Sequence, residues 1–350
     1  MEKMKVLIIR SIGKEKNNDS GWFYHRALDN LGYENMMFGH REIVNKNIKL
    51  KKVVNVVSRK ITTKNLIDLY KAANKKLIKA ALNFKPDLIL DVSTKTTTPH
   101  LIKQVKEKLK KVLFIGHFGD NPLLYDPPFK SIPYYDYFFV KDTYVLTHLK
   151  KLGLDNVYYL PQACDPDIHR PIEDISKEER DYYGNDLSFV GTMYPYRVRI
   201  LEIFRNYNLK IWGSGWRGDI PKDSVAYTKH QHKWVVGREK SLVFTASKIN
   251  INTQNPQNDI FGVSSKVFQI ASAGGFQLID YKQDLENLFN IGEEIITFNS
   301  RDELKELADF YLKNPEKRKQ IALKSQERAR NEHTYRHRFE EILKVCGLEK

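Results

Sequence analysis

Short apolar runs alternate with helix-patterned stretches twice along this chain, and that alternation restricts it to parallel sheets covered by helices on both faces. The first series has strand-like runs at Val6 to Ile9, Asn35 to Phe38, Leu88 to Asp91, Val112 to Ile115, Tyr137 to Val140 and Val157 to Leu160. Between them lie helical stretches at Ser20 to Leu31, Asn65 to Asn83, Pro99 to Lys110 and Thr143 to Leu152. Ser20 can cap the first helix, and Gly32 and Gly153 stand where helices should stop. After a polar connector, Pro166 to Asn185, the pattern restarts with strands at Leu187 to Val190, Leu209 to Trp212 and Ile249 to Asn252. Helices at Tyr196 to Tyr207 and Gly237 to Ala246 separate them, and Glu303 to Leu312, Pro315 to Arg330 and Tyr335 to Val345 read as further helices. The expected organisation is two Rossmann-like domains, residues 1–170 and 171–330, and a terminal segment, 331–350. A length of 350 residues agrees, being more than one core normally holds.

The stretch from Ser264 to Asp280 reads as an anion-binding helix followed by a buried strand, Phe276 to Ile279. Ser264 and Ser265 are natural N-caps, and Gly274-Gly275 supplies a left-handed stop. Lys266 stands in the first turn, where the helix dipole disfavours a cation unless a bound phosphate reverses the sign. A solvent-exposed lysine tolerating a small penalty is the bland alternative.

From Ser265 through Tyr281-Lys282-Gln283-Asp284-Leu285, then Leu288-Phe289-x-x-Gly292-x-Glu294 and on to His333-Thr334-Tyr335-Arg336-His337-Arg338, the chain resembles the CgeB-like (spore maturation protein) glycosyltransferases of the GT-B superfamily. The resemblance implies an α/β fold of two Rossmann-like domains facing a central cleft, with a C-terminal helix packing back on the first domain. It implies transfer of a sugar from a nucleotide-diphosphate sugar, a UDP-sugar in the first instance, to a glycan, protein or lipid-linked acceptor. The nucleotide sugar is then a substrate, with no cofactor and no metal. The family usually has Arg-x-Phe-Glu where this chain has Lys266-Val267-Phe268-Gln269. Retaining GT-B relatives carry two glutamates where Phe261 and Gln269 stand here, which motivates an alternative: a catalytically degenerate nucleotide-sugar-binding protein.

Donor-site candidates converge on the strand ends of the second domain: Gly191-Thr192 with Arg197 and Arg199, Gly213-Ser214-Gly215, and Ser264-Ser265-Lys266. Glycines let backbone amides approach a diphosphate, and side-chain cations would neutralise the leaving group in place of a magnesium ion. Asn255, in the polar loop after Asn252, is a candidate for sugar hydroxyls or an ordinary turn residue. On the first domain, Asp120 and His117 are placed to act as general base, with Asp91 the next candidate and His25 read as structural. The loop Gly13 to Ser20 is a further acceptor-side candidate, and Trp216 could border the donor.

Composition limits the other classes. The net charge of +15 is concentrated in residues 1–170, which hold 30 Lys and Arg against 17 Asp and Glu. Clusters at Lys46 to Lys52, Lys75 to Lys79 and Lys103 to Lys111 could meet an acidic acceptor or the anionic inner face of a membrane, or be plain solvated faces. No nucleic-acid motif accompanies them. Two distant cysteines, Cys164 and Cys346, and the absence of a long apolar run suit a cytoplasmic protein.

Overall fold

The computed structural model describes residues 3–10, 19–40, 43, 70–92, 94–215 and 220–349. The expected loop Gly13 to Ser20 (except Asp19 and Ser20), the Lys46 to Lys52 cluster, the first residues of the Asn65 helix and Trp216 lie outside them. Contacts divide the chain into two compact units, one of residues 1–141, 145–160 and 339–350, the other of residues 142–144 and 161–338.

The first unit holds a six-stranded parallel sheet in the order β2-β1-β3-β4-β5-β6. Its strands are β1 (Lys5–Ile9), β2 (Glu34–Phe38), β3 (Leu88–Asp91), β4 (Leu113–Phe118), β5 (Tyr137–Val140) and β6 (Val157–Tyr159). Most of their residues are buried, as expected for a sheet covered on both faces. The helix Ser20–Asn30 is capped by Asp19, not Ser20: the Asp19 carboxylate accepts from Trp22 N at 2.8 Å. Gly32 and Gly153 take left-handed φ values of 75° and 78°, where helices stop. Strand β4 runs three residues further than its apolar run suggested, because Gly116, His117 and Phe118 continue its pairing with β5. Residues Phe339–Lys350 belong to this unit, where the Phe339 ring meets Tyr33 at 5.4 Å.

The second unit holds a five-stranded parallel sheet in the order β11-β10-β9-β7-β8. Its strands are β7 (Leu187–Val190), β8 (Leu209–Trp212), β9 (Ile249–Asn252), β10 (Gln277–Asp280) and β11 (Ile296–Phe298). The strands present different chemistry to their two faces. Leu187, Phe189, Ile249, Ile251 and Leu278 share one apolar cluster. On the opposite face Ser188 donates to the Asn250 side chain at 2.8 Å, and Asn252 donates to Gln277 at 2.8 Å. Gln277 in turn donates to Val267 O at 3.0 Å, which ties the helix Lys266–Ser272 to the sheet. A helix at Lys177–Tyr183, with a Ser176/Glu179 capping box, occupies what reads from sequence as a polar connector.

The His333-Thr334-Tyr335 motif is part of this framework. His333 is buried between the rings of Phe268 and Phe289 and bonds Leu288 O at 2.7 Å through Nε2. Its Nδ1 therefore accepts from Arg338 Nη2 at 2.9 Å, and Arg338 also donates to Pro161 O and Gln162 O. Burial, with the Arg338 charge adding to it, pushes His333 down to about 3, and burial does the same to His169. In the unfolded chain both rings titrate near about 6.5. Below that value the unfolded chain binds protons that the fold refuses, so stability is full above about pH 6.5 and falls as the pH drops toward 3. Urea midpoints should decline from pH 7 to pH 5, less steeply in His333→Gln; a midpoint unchanged over that interval would show that the fold accommodates both charged rings.

Candidate active site

Strands β7 and β9 are sheet neighbours although β8 separates them in sequence, so the chain leaves in opposite lateral directions on the two sides of this pair. Open α/β sheets bind ligands outside the carboxyl ends of strands at such a point. Here those ends are Gly191-Thr192 and Thr253-Gln254. Arg197, in the helix Pro195–Leu201, bridges them. Its Nη1 donates to Thr192 O at 2.6 Å, Nη2 to Thr253 O at 2.8 Å and Nε to Thr253 Oγ1 at 3.3 Å. Arg197 is only 7% exposed, and its guanidinium lies 5.3 Å from the Phe189 ring centre. Burial lowers its pKa, yet an arginine keeps its charge.

Lys266 approaches the same Phe189 ring, at 4.6 Å, and donates to Val190 O at 2.9 Å at the end of β7. It is buried, not solvent-exposed, and burial pushes its pKa well down, with the charges of Arg197 and Lys240 acting in the same direction. Asp280 and Asp259 act the other way without overcoming this. The helix itself contributes less than its sequence promised. It has seven residues, and Ser265 at its N-cap makes no side-chain cap. Ser264 offers its carbonyl to Val267 N, and its amide goes to the Gln254 side chain at 2.9 Å. The positive character of this edge therefore comes from side chains.

The other candidates separate by role. Gly213 crosses directly over Gly191, and Ser214, exposed beside Gly215, receives the Met193 amide at 3.1 Å through its carbonyl. Asn255 forms its own turn, its side chain accepting from Gln257 N at 3.2 Å and its amide donating to Asp259 at 2.9 Å. Arg199 points to the other side of its helix and, with Tyr196, Asp280, Ser300 and Arg301, lines a hollow of about 470 Å³. Sequence reasoning missed Lys240, whose Nζ lies 2.5 Å from Gln269 Oε1. No sequence motif marks it, in the helix Gly237–Ala246.

In the first unit, Asp120 follows β4 and is half-buried, paired with Lys95 at 2.5 Å. His117 lies within β4, 2% exposed, with Nδ1 2.8 Å from Tyr24 OH. Asp91 is fully buried and accepts from Tyr135 OH at 2.7 Å, while His25 pairs with Asn35 and Asp29. The lysines from Lys108 to Lys111 cluster where the helix Pro99–Lys108 returns to the start of β4, the sheet edge opposite its carboxyl ends.

Residues 197–344 match the model of a glycosyl transferase-like family. The chain is 24% identical to spore protein CgeB of Bacillus subtilis (strain 168), in an alignment covering 58% of this chain; it spans 65% of that relative's length. In structure it is similar to sucrose-phosphate synthase from Thermosynechococcus elongatus, with a TM-score of 0.66 at 9% identity, covering 99% of this chain and 98% of that one. It is equally similar to Anabaena Alr3699/HepE solved with UDP and glucose, with a TM-score of 0.66 at 10% identity, over 98% and 99% of the two chains. The two parallel sheets and these likenesses define a GT-B fold of two Rossmann-like domains. Within that class its sequence is similar to CgeB, at 24% identity.

The Gly191–Gly213 crossing sets the shape of this edge. Gly213 has φ of +135°, and a Cβ built there would lie 2.0 Å from Gly191 O. Gly213→Ala should therefore cost about 3 kcal/mol or more, because backbone and not a flexible side chain must move. Chemical denaturation reads this directly, and a loss below about 1 kcal/mol would show that the crossing can open freely.

Proposed function

We propose that this protein is a glycosyltransferase that moves a sugar from a nucleotide-diphosphate sugar to an acceptor hydroxyl, holding the donor at the carboxyl edge of the second unit. The observation that carries this reading is the pair of buried basic side chains, Arg197 and Lys266, at the β7/β9 switch point, neither bonded to a carboxylate among the described residues. A diphosphate supplies the missing negative charge, and the same cations stabilise the charge that grows on it as the sugar departs. This also supports metal-independent departure, since side chains occupy the role of a divalent ion. HepE, solved with UDP and with UDP-glucose, supports a UDP-sugar as the first donor to test.

On the first unit Asp120 is the more accessible of the two base candidates and is placed to take the acceptor's proton; His117, enclosed and bonded to Tyr24, orients its surroundings. The acceptor is a glycan, a protein or a lipid-linked sugar. The Lys108 to Lys111 cluster, at the wrong edge for acceptor chemistry, fits attraction to an anionic surface instead. Among the described residues no helix is long and apolar enough to cross a membrane.

A second reading, a nucleotide-sugar-binding protein without turnover, is favoured by Phe261 and Gln269. The Phe261 ring packs on Tyr144 at 5.1 Å, and the Gln269 amide is engaged by Lys240 and Ser265. Incubation with a panel of nucleotide sugars, with and without acceptors, separates the two: released nucleotide diphosphate supports transfer, and binding without release supports the second.

Lys266→Met should weaken UDP binding by about 1–3 kcal/mol, as for loss of a charge-assisted contact. It should leave the unliganded protein as stable or more so, since a desolvated cation is removed. Calorimetry and thermal melts together check the pair, and undiminished affinity would take Lys266 out of the site. Asp120→Asn should lower turnover by about 100-fold or more while UDP affinity stays unchanged. Normal turnover in that variant would place the base elsewhere.

A further inference from the structure

We propose that Lys240 is a third basic side chain of the donor-phosphate site, held on Gln269 in readiness for the diphosphate. The inference rests on the donor-site reading above and adds a residue to it. Lys240 comes from a different helix, Gly237–Ala246, yet its Nζ sits 2.5 Å from Gln269 Oε1, and the Gln269 Nε2 donates to Ser265 Oγ at 3.3 Å. The chain Lys240–Gln269–Ser265 thus reaches the residue that precedes Lys266.

The surroundings of Lys240 offer it no counter-charge. It makes no ion pair among the described residues, and its contacts are a neutral amide oxygen and the Phe244 ring at 5.8 Å. On its own helix, Glu239 is taken by Lys233 and Tyr183, and Arg238 by Glu179. Facing it from the helix after β9 is Lys266, a like charge, and from the loop before Arg170 comes His169, neutral in the fold. Asp259 and Asp280 bear on Lys266, and each already accepts a backbone amide, from Asn255 and Gln254 respectively. Lys240 nevertheless remains partly open to solvent, unlike Lys266, so an incoming anion can reach it. A lysine serving only to orient Gln269 would not need to be a cation; one adjoining two further cations at a phosphate site would.

The arrangement has a measurable consequence. Burial brings Lys240 down to about 8 in the empty protein, so near pH 8 about half of the amines lack a proton. A diphosphate placed beside it favours the ammonium form, and the missing proton comes from the buffer. The phosphates of UDP are already ionised at that pH and contribute no compensating release. Titration of UDP by calorimetry at pH 8, in two buffers of different ionisation enthalpy, should show proton uptake of which about half a proton belongs to Lys240. Lys240→Met should take up about half a proton less than the wild type and weaken UDP binding about tenfold, whereas Lys240→Arg should retain affinity with the same reduced uptake, since arginine is charged throughout. Binding without proton uptake, or uptake unchanged in Lys240→Met and so owed to Lys266, would remove Lys240 while leaving the donor site standing. If wild-type protein fails to bind UDP at all, the donor-site reading falls and this inference with it.

Discussion

The three bonds that Arg197 makes to the loops after β7 and β9 fix the geometry of everything proposed for the second unit. They join Thr192 and Thr253 across the point where the sheet's connections part. An arginine suits this role because its planar fork can serve two carbonyls and a hydroxyl at once, which a lysine cannot. The same bonds use donors that a free arginine would offer a ligand. Arg197 is thus first a strut and only second a charge, and removing it would confound loss of fold with loss of chemistry.

Beneath that strut the sheet's polar face keeps the neighbouring elements in register. Asn252, Gln254 and Gln277 link Asp280 to the carbonyl of Val267 by hydrogen bonds, while Ser188 and Asn250 form a separate pair that ends on the carbonyls of Phe244 and Phe276. Every member is buried, so a member left unpaired would lose the full cost of its desolvation. This explains why a strand reading Ile-Asn-Ile-Asn can be central: its isoleucines meet the apolar cluster while its asparagines hold the opposing helix and loop.

Strands and long helices were legible where one period dominated. Gly237–Ala246, Ile249–Asn252 and Tyr335–Val345 stand to the residue where periodicity put them. The helix Lys177–Tyr183 was not, because its polar sequence carries its signal in the Ser176/Glu179 cap and not in an apolar stripe. At the site, sequence marked the strand ends and their glycines, since those depend on local backbone needs. It could not distinguish Arg197 from Arg199, two residues apart, because which face of a short helix turns inward is decided in part by Thr253, 56 positions later in the chain. Lys240 was invisible for the same reason: its partner, Gln269, is 29 positions later.

The uncompensated charges also bear on what kind of ligand belongs here. A fold selected only for stability would pair Lys266 with a carboxylate or replace it, since a desolvated cation carries a cost of several kcal/mol. Asp259 and Asp280 lie close enough to act on it electrostatically, yet both are committed to backbone amides of the loop after β9. The site therefore holds a deficit of negative charge that a neutral sugar or a nucleoside cannot fill. A ligand with more than one negative charge, as proposed, would offset the repulsion that Arg197 and Lys240 exert on Lys266. Affinity should accordingly reside in the diphosphate, with the sugar and the base selected by weaker contacts around it, and a product that keeps the diphosphate would leave more slowly than one that does not.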